Sequence, residues 1–104
     1  MKLSKREKVF VIGIDGATFD LIKPWAKEGK LPNLAKIMKE GVYGELRSTI
    51  PTNSAPAWTS FVTGTNPGKH GILHFKSLGY QTKEYLMSRK SRKCKAIWNI
   101  LSEN

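Results

Sequence analysis

Two residues carry the chemistry this sequence can offer. Asp15 ends the apolar run Val9-Phe10-Val11-Ile12-Gly13-Ile14 and is followed at once by Gly16. Ser54 lies in Ile50-Pro51-Thr52-Asn53-Ser54-Ala55-Pro56-Ala57-Trp58, where a helix is predicted to begin, and Gly64 is placed to end that helix. A carboxylate oxygen suits a hard or borderline divalent cation. A serine hydroxyl is a poor nucleophile at neutral pH, and metal coordination activates it. A helix N-terminus beneath it adds partial positive charge and N–H donors for a phosphate. Open α/β sheets bind ligands at the carboxyl ends of their strands, so an Asp at a strand end and a Ser at a helix start can share one metal ion. The plainer alternatives are an Asp that caps a turn and a Ser that caps a helix, with Thr52 a nearby competitor for the hydroxyl role.

The elements that must position these residues are legible in outline. Residues 8–15 read as a buried strand, short and rich in Val and Ile. Thr18 can cap a helical turn holding Phe19, Leu21 and Ile22. Pro24 fits the first turn of a separate segment reaching Glu28, closed by Gly29. Pro32 starts a helix with Leu34, Ile37 and Met38 on one face and Gly41 just past its end. Residues 42–49 alternate weakly and read as a second strand. Ser54 is a suitable N-cap for the next helix, with Pro56 in its tolerated first turn. Residues 65–71 read as a turn-rich loop, and 72–86 as irregular or short-stranded. The last helix carries Ala96, Ile97, Ile100 and Leu101 on its apolar face.

Chain length of 104 residues predicts a single domain, 1–104. The order β-α-α-β-α-(β)-α is an α/β pattern. It ends on a helix where a wound α/β fold would continue with another strand, so the chain reads as truncated. The apolar runs are too short to span a bilayer. The single cysteine, Cys94, excludes a disulfide framework and a thiolate metal cluster. These features predict a cytoplasmic protein with no membrane segment. Net charge is +10, from 18 basic and 8 acidic residues. Arg89, Lys90, Arg92, Lys93 and Lys95 form one basic group; Lys2, Lys5, Arg6 and Lys8 form another. Such groups can bind nucleic acid or anionic lipid, yet no zinc-finger spacing, aromatic-rich RNA motif or recognition helix accompanies them. Any nucleic-acid binding is therefore expected to be weak and non-specific. A small basic module gripping nucleic acid or acidic partners is the alternative to an enzyme.

Similar motifs fall away on inspection. A dinucleotide fold needs a third glycine after Gly13-Ile14-Asp15-Gly16, and Ala17-Thr18 follow instead. The D-x-D-G-T strand end of haloacid-dehalogenase-like phosphatases would require an Asp at Gly13.

Four stretches together carry a family resemblance: VIGIDGATFDLI, KLPNLAKIMKEGVYGELRSTIP, SAPAWTSFVTGTNPGKHGI and KAIWNILSE. In this order and spacing the sequence resembles the N-terminal part of the type I phosphodiesterase/nucleotide pyrophosphatase group of the alkaline phosphatase superfamily, its prokaryotic phosphohydrolases above all. The resemblance implies a mostly parallel sheet flanked by helices, here its N-terminal part. It implies hydrolysis of phosphate mono- or diesters of small molecules through a phosphorylated Ser or Thr. Two divalent metals are implied, zinc first, with manganese or magnesium as alternatives. On this resemblance Asp15 matches a metal ligand, and Ser54 matches the nucleophile and a second ligand to the metal. The family's other Asp and His ligands have no counterpart here, so the 104-residue chain is expected to be inactive alone. It is also expected to be marginally stable or to self-associate through exposed sheet edges. Nucleotide pyrophosphatases carry a phosphate-binding Asn 21 residues after the nucleophile; that place is Phe75, which speaks against nucleotide recognition of that kind. The family keeps a His-Gly at His70-Gly71, where a structural role is expected.

Overall fold

The structure is a computed structural model that describes residues 8–78 and 84–103. The chain divides into two compact units, Met1–Glu45 and Leu46–Asn104.

Two helices make the first unit. Helix α1 spans Phe19–Lys27 and α2 spans Pro32–Glu40. Thr18 caps α1: its Oγ1 accepts from the Asp20 N–H at 3.3 Å. Such a cap satisfies one of the donors a helix start leaves orphaned. The chain leaves α1 through Gly29, whose φ of 77° is in the left-handed region. Pro32 opens α2, and the Gly41 N–H closes it on the Ile37 carbonyl at 2.8 Å. The two helices pack on each other, with Ile22, Ala26, Leu34, Ala35 and Met38 half-buried. Phe19 meets Tyr43 edge-on, centroids 5.6 Å apart. One expectation is corrected here. Pro24 does not start a new segment; it lies inside α1. Its fixed φ is helical, so its cost is the hydrogen bond it cannot donate.

The second unit holds α3 (Ser54–Thr63), α4 (Pro67–His70), β1 (Lys76–Leu78), β2 (Glu84–Leu86) and α5 (Ile97–Glu103). Strands β1 and β2 pair antiparallel, Lys76 opposite Leu86 and Ser77 opposite Tyr85. The Met87 N–H extends the pairing to the Phe75 carbonyl at 2.7 Å. Gly64, in the left-handed region at φ 64°, ends α3. Among the described residues of this unit, Pro56, Pro67, His70, Ile72 and Ala96 are buried.

The expected mostly parallel sheet flanked by helices is not what the structure contains. Among the described residues the sheet is the single antiparallel pair β1–β2. Residues 8–15 and 42–49, read as strands, form none. An apolar run states only that a face can be buried; a strand also needs a neighbouring backbone to complete its ladder. Residues 8–14 have neither, and Val9 and Phe10 are 86% and 89% exposed. Contiguous apolar surface of this kind drives association. Size-exclusion chromatography is therefore expected to show an apparent mass that rises with loading concentration. A concentration-independent monomer would refute this expectation.

Candidate active site

Asp15 and Ser54 belong to different units, and each is built locally. Asp15 forms a turn with Gly16, at the end of residues 8–14, which have no regular structure. Gly16 has φ 70°, a conformation that favours glycine. Asp15 itself is exposed.

Ser54 is half-buried and occupies the first position of α3, not its cap. The cap is Asn53, whose Oδ1 accepts from the Ala55 N–H at 3.0 Å, while its carbonyl accepts from the Ala57 N–H at 3.1 Å. This corrects the expectation that Ser54 caps the helix. Asn is at least as good a cap as Ser, and its place before Ser54 was the available signal. One consequence follows for chemistry. Fewer N–H donors face outward than a bare helix start would offer, because Ala55 is taken by Asn53 and Pro56 has none. What this helix end supplies to an anion is chiefly its partial positive charge.

A polar pair that the sequence did not announce holds α3 in place. The Ser60 Oγ lies 2.9 Å from His70 Nε2, and the Ile72 N–H donates to His70 Nδ1 at 3.1 Å. Because Nδ1 accepts, the neutral ring carries its proton on Nε2 and donates it to Ser60. His70 is fully buried. Burial pushes its pKa below the ordinary 6.5, against a smaller upward pull from the Pro56 backbone. Both ring nitrogens are thus engaged in structure, and neither is available to a metal. The Asn66 side chain caps α4 through the Lys69 N–H at 3.0 Å and so fixes the turn that presents His70.

Donors for a metal ion are sparse. Among the described residues no three His, Cys, Asp or Glu side chains gather in a metal-holding group. A closed metal site takes at least three protein ligands. Phe75, 53% exposed, brings no polar side-chain atom at the position where a phosphate-binding Asn was sought.

A model of the type I phosphodiesterase / nucleotide pyrophosphatase family matches residues 9–103. The chain belongs to this family. Ectonucleotide pyrophosphatase/phosphodiesterase family member 3 of Bos taurus is 28% identical over 92 residues, covering 86% of this chain and 10% of the relative. Family member 1 of Homo sapiens is 34% identical over 67 residues, covering 64% of this chain and 7% of the relative. The chain thus spans a tenth or less of the length of these curated relatives. No solved structure matches it. Among the described residues, no helix of this family member is long and apolar enough to cross a membrane.

Proposed function

We propose that the chain carries the nucleophile of a metal-dependent phosphoester hydrolase. The reading rests on family membership across residues 9–103. It also draws on Ser54 standing at the first position of α3, directly after the Asn53 cap. In this reading Ser54 Oγ attacks phosphorus, the ester P–O bond breaks with departure of the alcohol, and water then cleaves the phosphoserine. The positive end of α3 favours the phosphate beside Ser54. Asp15 and Ser54 are each assigned as a ligand to a divalent metal, zinc first and manganese or magnesium next. The other ligands would come from beyond these two side chains. The substrate class is a small phosphate mono- or diester, and Phe75 disfavours nucleotide recognition through an Asn at that position. A cytoplasmic setting fits the single cysteine.

Two assays test this. The 104-residue chain alone is expected to hydrolyse an aryl phosphodiester negligibly with zinc, manganese or magnesium. Robust turnover that disappears in Ser54→Ala would keep the nucleophile and refute the donor count. Grafted in place of the matching 92-residue segment of the bovine relative, the chain is expected to support hydrolysis. Ser54→Thr, which keeps a hydroxyl, should then retain it, and Ser54→Ala should lower it by roughly 10³-fold or more, as loss of a nucleophile does. Hydrolysis by the graft that survives Ser54→Ala would sink the assignment.

A further inference from the structure

The basic group at 89–95 plays no part in the hydrolase reading, and the structure sorts its members. The Lys95 Nζ is held by both Glu103 carboxylate oxygens, at 2.8 and 2.7 Å. The Arg92 Nε donates to the Cys94 carbonyl at 2.8 Å and its Nη2 to Asn99 Oδ1 at 3.2 Å. Its guanidinium lies 5.4 Å from the centroid of the Trp98 ring. Arg89, Lys90 and Lys93 remain exposed, and among the described residues none has a carboxylate partner.

These three cations sit on a fixed loop. The Ser91 N–H donates to the Ser88 carbonyl at 2.9 Å, and the Lys93 N–H to the His70 carbonyl at 3.0 Å. The Cys94 Sγ reaches the Lys69 carbonyl at 3.6 Å. The Lys93 stem lies over Gly71, 3.2 Å from where a Cβ would stand. Two half-exposed aromatics flank the loop in sequence, Tyr85 on β2 and Trp98 on α5. Cations without carboxylate partners, carried on a pre-formed loop that two half-exposed aromatic residues flank in sequence, match the needs of a single nucleic-acid strand: charge for its phosphates, and aromatic surface for its bases. A lipid surface is matched less well, since it favours an amphipathic helix, and here the cations lie on a loop.

We propose that residues 85–98 form a docking surface for single-stranded nucleic acid, sequence-independent and driven by Arg89, Lys90 and Lys93. Fluorescence anisotropy with a labelled oligothymidine tests it, alongside co-sedimentation with phosphatidylserine vesicles. Three phosphate contacts predict a log affinity against log salt slope of about −2, so affinity falls roughly 20-fold between about 50 and 200 mM salt. The combined variant Arg89→Ala, Lys90→Ala, Lys93→Ala should bind at least tenfold more weakly, with a nearly flat salt dependence. Glu103→Gln should do the opposite: it releases Lys95, tightens binding and steepens the slope by about 0.7. The proposal is overturned if the triple variant binds as the parent does. It is also overturned if Glu103→Gln leaves binding unchanged, or if vesicles are captured while the oligonucleotide is not.

Discussion

Replacing His70 with leucine is expected to destabilise the second unit by about 2–4 kcal/mol, from two polar groups orphaned at roughly 1–3 kcal/mol each and a partial return from added apolar burial. The imidazole is buried and accepts from the Ile72 N–H at Nδ1, while Nε2 faces Ser60. Leucine has comparable size and neither function. Ile72, itself 5% exposed, then keeps a backbone N–H that water reaches poorly. Ser60→Ala is the contrast. It orphans the Nε2–H of the buried ring, about 1–3 kcal/mol, and leaves the Ile72 bond intact. Urea titration followed by tryptophan fluorescence checks both variants, since Trp58 and Trp98 report on this unit. A His70→Leu loss no larger than that of Ser60→Ala would show that the Ile72 bond contributes nothing and that the ring acts as filler.

The same contrast between local and non-local interactions explains what the sequence discloses. Thr18, Pro32 and Gly64 mark helix ends correctly because each acts within one turn of itself, through a side-chain acceptor, a fixed φ or freedom at positive φ. The cap of α3 is missed by one residue because two good caps, Asn53 and Ser54, stand side by side, and backbone geometry chooses between them. The runs at 8–14 and 42–49 are misread because hydrophobicity is a property of the run, whereas a ladder is a property of two runs. His70 stands between these cases. A His before a left-handed Gly71 suggests a structural turn. Its bond to Ser60, ten positions earlier, depends on how α4 folds back against α3. Asp15 and Ser54 are legible as residue types, and the family match covers both.

Acid is expected to weaken the second unit through the same imidazole. Burial holds the His70 pKa below the 6.5 of an unfolded chain, outweighing the raising effect of the Pro56 backbone. Between those two values the unfolded state binds more protons than the folded one, so stability rises with pH in that window. The contribution is fully present above pH 6.5 and is lost as pH falls through the folded-state value. Geometry gives the cause. A second proton would sit on Nδ1, where the Ile72 N–H already points, so an acceptor becomes a donor facing a donor. The urea midpoint of the parent chain should therefore fall between about pH 7.5 and pH 5, and that of His70→Leu should change less over the same range. The difference between the two curves isolates His70 from other titrating groups. Parallel curves would mean that the ring can protonate without giving up the Ile72 bond, and the assignment of Nδ1 as its acceptor would have to be withdrawn.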